Sequence, residues 1–383
     1  MCEIKEVLKS FQEGYAYRAV EKSDEFVREL FVDDENTYVL GTATGELFIG
    51  TEQIKQLIKD DWIYWGDVSL DYENANISIK DETACIAVSG TVKYCFEDTQ
   101  ERYDRYVEYI KNIAKKEGIT AKQKAGLINW ILSLNYHQRV SNKREYFWPL
   151  RLSGILIKDS GRWKFIQLHF SIASADFPDE RFESSIEYAE SFKQQSVMLE
   201  QHKNHEMSYE LKALFSCLEK ELFTQEKTSE QIVQDNFTSQ GIPYIISGER
   251  QWYSGVNQIK AFFEERKALK LEFNMEDSII LAAGETISVM AIGLVKQSLT
   301  EETAAERAMD DIFKLFDYNM DSREKLFRAH RSVAYALKES ASGTEYTCPM
   351  RMTAVVIREG DRLVFQSIHF SFPFYWIAEG KLD

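Results

Sequence analysis

Apolar residues recur at helical spacing near the start of the chain: Ile4, Val7, Leu8, Phe11 and Tyr15, then Val20, Phe26, Val27 and Leu30. That spacing predicts one or two N-terminal helices with a buried stripe. Residues 37–41 and 47–50 flank a Gly/Thr turn as two short strands, and Thr51 caps a helix running to about Trp65. The period then changes to two. Val68, Leu70 and Tyr72 alternate with Ser69, Asp71 and Glu73, and Ala84, Ile86, Val88, Gly90, Val92 and Tyr94 alternate with smaller or polar residues, which predicts long strands with one apolar face. Residues 98–139 return to the helical period as two amphipathic helices joined near Gly118. Residues 151–157 and 163–171 then read as a hairpin around Asp159-Ser160-Gly161.

The same order of elements occurs twice. The run Pro149-Leu150-Arg151-Leu152-Ser153-Gly154-Ile155 reappears as Pro349-Met350-Arg351-Met352-Thr353-Ala354-Val355, shifted by 200, and 8 of the 23 residues in 149–171 are identical at that shift. Chance alone would give roughly one or two. Upstream, residues 48–55 answer to 253–260 and residues 84–90 to 287–293, and the helical pair at 98–139 has its counterpart in Met309, Ile312, Phe313 and Phe316 followed by Leu326, Val333, Ala334 and Leu337. A period near 200 residues is a domain length, so the chain reads as a duplicated domain: copy one at 1–180, a helical connector at 181–204, and copy two at 205–383. The connector holds no proline and carries apolar residues at helical spacing, which predicts a fixed relation between the copies.

Helices first, a short hairpin, another helix and then a meander of long strands predict an α+β domain, with helices packed on one face of a curved antiparallel sheet. With the final strand Gly161-Arg162-Trp163-Lys164-Phe165-Ile166-Gln167-Leu168-His169-Phe170-Ser171, this order resembles the SnoaL-like domains of the nuclear-transport-factor-two-like (NTF2-like) superfamily. Their last strand pairs a turn glycine and a Trp with a terminal His-x-Ser. The resemblance spans both copies and implies two cone-shaped domains, each with a pocket between sheet and helices. It also implies a choice among isomerases, cyclases, dehydratases, ligand binders and association modules. Copy two departs at Leu363, where the Trp belongs, and both copies add the helical pair before the final hairpin.

Composition narrows the partners. With 46 Lys and Arg against 62 Asp and Glu, the net charge is −16, which opposes phosphate-backbone binding, so no nucleic-acid partner is expected. No run approaches the roughly 18 apolar residues of a membrane span, and residues 1–6 lack a secretory leader's apolar core, so a cytoplasmic protein without membrane contact is expected. The five cysteines are odd in number, scattered and outside any C-x-x-C pair, and they read as reduced thiols.

Candidate chemistry is sparse. His169 and His369 recur at one strand position while their neighbours diverge, and Arg151 and Arg351 recur beside them. Facing a concave pocket, Arg and His of each copy would grip a small, partly apolar and anionic molecule. Hairpin register decides their relation, with Arg151 falling opposite either His169 or Phe170. Asp71 and Glu272 alternate with the apolar face and so point to water, and the other long strands carry no interior carboxylate, which argues against enzymatic chemistry. Trp62, Tyr64 and Trp65 would line a pocket mouth, where copy two has Arg266, Lys267 and Ala268, or fill the core. His202 and His205 have metal-ligand spacing but no third ligand nearby, and no phosphate loop, G-x-S-x-G or H-E-x-x-H occurs, so neither metal nor cofactor is expected. Catalytic residues are unassigned. Ligand binding through His169, Arg151, His369 and Arg351 is the leading expectation. An isomerase, cyclase or dehydratase using a pocket His as general acid/base, and an oligomerisation scaffold whose pockets are filled by its own aromatics, stand as alternatives. Pairing of the copies within one chain is the expected architecture, leaving room for a homo-oligomer.

Overall fold

A computed structural model describes residues 1–43, 45–97, 100–138, 143–173, 185–203, 207–224, 226–248, 251–265, 270–298, 300–341 and 345–373. Copy one runs α1 (Cys2–Tyr17), α2 (Ser23–Leu30), β1 (Tyr38–Leu40), β2 (Leu47–Ile49), α3 (Thr51–Tyr64), β3 (Asp67–Leu70), β4 (Asn76–Lys80), β5 (Thr83–Glu97), α4 (Gln100–Lys115), α5 (Ala121–Gln138), β6 (Lys143–Asp159) and β7 (Arg162–Ile172). A long helix, α6 (Ser185–His202), precedes copy two. There the order is α7 (Tyr209–Thr224), α8 (Ser229–Asn236), β8 (Tyr244–Ile246), β9 (Trp252–Ser254), α9 (Val256–Glu265), β10 (Lys270–Ala283), β11 (Thr286–Ser298), α10 (Glu301–Leu315), α11 (Ser322–Ser340), β12 (Glu345–Glu359) and β13 (Arg362–Ser371).

Each copy builds one open sheet. The strand order is β2-β1-β7-β6-β5-β3 in copy one, with β4 also paired to β5, and β10-β11-β12-β13-β8-β9 in copy two, the same topology read from the other edge. The sheets are mixed rather than wholly antiparallel, because β1 runs parallel to β7 and β8 parallel to β13. Parallel neighbours need a long crossover, and most of each domain lies between those partners. The first strand of copy one's meander is broken by a helical turn at Tyr72–Asn74 into β3 and β4, whereas β10 runs through with an irregularity between Asn274 and Ile279.

Helical periodicity and strand alternation meet in the two cores. In α1, Ile4, Leu8, Phe11 and Tyr15 are fully buried, and α7 repeats the spacing with Leu211, Phe215, Leu218 and Leu222. These stripes pack on the strand residues that point inward, among them Leu152, Leu168 and Phe170 in copy one and Met352, Ile368 and Phe370 in copy two. A core of this density forfeits transfer energy and contacts when thinned.

Two glycines recur where the sheet is tightest. A Cβ on Gly90 would come within 2.3 Å of the Ser69 carbonyl oxygen, and one on Gly293 within 2.5 Å of that of Glu272. The obstacle is backbone in both cases, so side-chain movement does not relieve it. Gly90→Ala is therefore expected to lower stability by about 2 kcal/mol, within the range for overpacking, as read from urea midpoints. An unchanged midpoint would mean that the β3–β5 edge gives way freely.

Candidate functional site

Strand alternation sends Leu150, Leu152, Leu168 and Phe170 toward the helices, and therefore Arg151, Ser153, His169 and Ser171 to the opposite, outer face. Copy two divides Met350, Met352, Ile368 and Phe370 from Arg351, Thr353, His369 and Ser371 in the same way. The outer faces of the two sheets meet. All eight of these polar residues are buried.

At the centre the two imidazoles stack, their ring centroids 3.8 Å apart and their planes 24° from parallel. His169 places Nδ1 2.8 Å from Thr353 Oγ1 and Nε2 2.8 Å from Ser371 Oγ. His369 places Nδ1 2.8 Å from Ser153 Oγ and Nε2 2.7 Å from Ser171 Oγ. Every ring nitrogen thus bonds a hydroxyl of the other copy. A neutral imidazole offers one donor and one acceptor, and a hydroxyl serves as either, so two neutral rings satisfy all four bonds. Arg151 Nε donates to Ser171 Oγ at 3.0 Å, which fits a Ser171 hydroxyl that donates to His369 Nε2 and leaves the ring proton on Nδ1.

Electrostatics keep the pair neutral. Burial holds both imidazoles well below the ordinary histidine range. The Arg351 and Arg151 guanidinium groups press His169 further down, and His369 feels its stacked partner as well as both arginines.

The arginines reach across the interface to backbone. Arg351 donates through Nη1 to the Ala43 carbonyl at 3.0 Å and through Nη2 to that of Thr42 at 3.1 Å, while Arg151 Nη1 donates to the Ser247 carbonyl. Thr42 follows β1 and Ser247 follows β8, so each copy's arginine holds the equivalent turn of the other. Tyr38 bonds Ser288 across the same boundary at 3.1 Å, and its counterpart Tyr244 donates to the Ile86 carbonyl at 3.2 Å. Apolar groups flank this polar centre: Cys85, Ile155, Ile166 and Val355 on one side, and Tyr38, Leu199 and Met290 on another, where α6 lies against the second sheet. Burial pushes the Cys85 thiol up to about 12, in keeping with an unreactive packed sulfur.

The four residues expected to meet a ligand thus meet the other domain. The hairpin register differs from both alternatives read in the sequence, since Arg151 pairs with Ser171, and Ser153 with His169. A two-residue turn, with Ser160 at φ 51° and Gly161 at φ 82°, combines with a register shift between Ile155 and Leu156 to set this pairing. Arg151 and His169 are consequently diagonal neighbours on one face.

The helix-covered side of copy one holds a polar pair that sequence reasoning missed. Tyr15 donates to Asp61 Oδ2 at 2.7 Å in a buried setting, with Phe11, Trp62 and Trp65 rings around the tyrosine. Burial and the Asp61 carboxylate raise the phenol well above its usual range. At the matching stripe position copy two has Leu222, so the pair belongs to copy one alone. Asp61 falls on the buried stripe of α3, the one legible signal, but nothing in the sequence joins it to a tyrosine 46 residues away. The other candidates separate: Trp62 is core, Tyr64 is exposed, and Trp65 is half-buried against Tyr15. Asp71 is exposed and accepts from Asn74, and Glu272 is exposed. His202 Nδ1 bonds the Met198 carbonyl oxygen, and among the described residues no three His, Cys, Asp or Glu gather as a metal site. His205, Arg266, Lys267 and Ala268 lie outside the described residues. No described helix is long and apolar enough to cross a membrane.

Each copy thus builds the α+β arrangement expected from the sequence, an open mixed sheet covered by helices on one face. No family model and no curated protein matches the chain. Among solved structures it is similar to an NTF2-like superfamily protein from Salmonella enterica serovar Typhimurium, at 11% identity over 44% of this chain and 88% of that one, TM-score 0.28. A ketosteroid isomerase-like protein from Erwinia carotovora matches at 7% identity over 46% of this chain and 97% of that one, TM-score 0.28. An NTF-2 like protein of unknown function from Shewanella oneidensis matches at 10% identity over 44% and 96%, TM-score 0.25.

Proposed function

We propose that this chain is a cytosolic association scaffold in which two NTF2-like domains pair through their outer sheet faces into a single unit. The observation that carries this reading is the cross-bonded histidine pair, whose four ring nitrogens are all taken by hydroxyls of the opposing copy. In this reading the imidazoles are struts, because a neutral, fully buried ring has neither the charge nor the solvent access that acid/base work requires. The arginines act as clamps on backbone carbonyls. Phe11, Phe26, Trp62 and Phe170 fill the helix-covered side of copy one, and Phe215, Phe262 and Phe365 do so in copy two.

Native mass spectrometry of the freshly purified protein, compared with its denatured mass, tests the reading. A chain without adduct is the expected result. A stoichiometric small molecule that leaves on denaturation would overturn it in favour of the ligand-binding reading, for which the aromatic-lined Tyr15–Asp61 pair of copy one is the supporting feature.

A further inference from the structure

The helical pairs α4–α5 and α10–α11 join the two copies a second time. Trp130 of α5 packs edge-on against Tyr335 of α11 at 5.5 Å, and a Cβ on Gly126 of α5 would lie 3.0 Å from the Lys338 Cα, so these helices run in close backbone contact. On its other flank α11 meets α10 through the small residues Ala304, Ala308 and Ala336. Those two contacts account for two sides of α11, and a third side is apolar and bare.

Leu326, Val333 and Leu337 of α11 are 67%, 44% and 51% exposed, and Met309 and Phe313 of α10 with Phe316 just beyond it are 48%, 64% and 66% exposed. At about 100° per residue each set forms one stripe. With the alanines facing each other in an antiparallel hairpin, both stripes emerge on the same side. Together they expose on the order of 700 Å² of apolar side chain, above the ~300–600 Å² of the largest patch on a typical monomer and close to the ~800 Å² that one partner contributes to a stable interface. Copy one's helices expose far less there, Val107 and Leu132 being their exposed large apolar residues among those described.

Area and charge together indicate the occupant. α10 carries five carboxylates against two cations, whereas α11, with Arg331 and Lys338 buried over the Trp130 ring, has only Arg323, Lys325 and Arg328 left against Glu324 and Glu339. Glu302 and Glu306 border the α10 stripe, and His330 lies within that of α11. An isologous two-fold contact lays a surface on its own copy. With the two-fold axis parallel to the helices, such a contact sets the acidic α10 of one molecule on α11 of the next, and the reverse, which closes on itself and keeps the two acidic helices apart.

We propose that the apolar face of α10–α11 is the docking surface for a second copy of this chain, making a two-fold dimer of tandem units. The proposal stands on the α10–α11 surface and not on the histidine interface. Sedimentation velocity on the full chain tests it. The expected result is a dimer at micromolar concentration, weakened by 0.5 M salt and at least ten-fold by Phe313→Ser with Leu326→Ser. Val107→Ser with Leu132→Ser should leave it intact. Both double variants exchange exposed residues, and unchanged far-ultraviolet dichroism confirms their folding. A chain that stays monomeric at 100 µM overturns the proposal. A dimer indifferent to the Phe313/Leu326 change does so too, as does one that forms only after Trp376→Ser with Ile377→Ser, which would place the chain's own C-terminal segment on the surface. None of these outcomes alters the mass-spectrometric result on bound ligand.

Discussion

Lowering the pH from 7.5 to 5.5 is expected to remove about 3 kcal/mol of stability through His169 and His369 alone. Both rings are fully buried and held well below the ordinary histidine range, first by desolvation and then by Arg151, Arg351 and, for His369, the stacked imidazole. In the unfolded chain they titrate near 6.5. Below that value the unfolded state binds protons that the folded state refuses, so stability rises with pH across the window. It is fully present above the unfolded value and is lost as pH falls toward the depressed folded one. Each histidine loses about 1.4 kcal/mol per pH unit within that window. Urea unfolding at pH 7.5, 6.5 and 5.5, on the parent chain and on the double variant His169→Gln with His369→Gln, isolates this contribution from that of the carboxylates. The variant starts less stable but should fall less steeply. Equal slopes would mean that the imidazoles reach solvent, and the interface as described would be wrong.

Arg351→Ala is expected to cost about 2 kcal/mol, because it removes the charged donor from the buried Thr42 carbonyl and one of two donors from that of Ala43, which keeps the Glu46 N–H, a hydrogen bond to a charged group being worth ~1.5–3 kcal/mol. Arg351→Lys should recover only part of the loss, since an ammonium lacks the planar fork that reaches two carbonyls at once. Thermal melts of the three proteins decide the matter. A loss below about 0.5 kcal/mol in the alanine variant, the range typical of surface substitutions, would show that the clamp contributes nothing.

Much of the fold was legible because its determinants are local. Helical spacing in residues 2–31 and 98–139, alternation in the long strands, and a gap-free repeat from Pro149 to Ser171 each report on which face of an element is buried. Register was less legible. The extra residue at the irregularity between Ile155 and Leu156 moves Arg151 one step along β7, and no composition rule places such a bulge. The parallel β1–β7 contact was hidden for a related reason, since the partners lie more than a hundred residues apart and their pairing is set by the sheet edge left free.

The sequence by itself determined that the chain is a duplicated α+β domain with paired helices inserted in each copy, and that Arg151, His169, Arg351 and His369 share something that their neighbours do not. What they share was decided only by the tertiary structure. A period of two says that a residue lies on the face opposite Leu168 and Phe170, but an apolar core and a second protein surface both bury what they cover, and alternation is blind to which of them does so. Packing turned the outer face inward against its own duplicate. There a histidine that reads as a ligand contact becomes half of a stacked, cross-bonded pair.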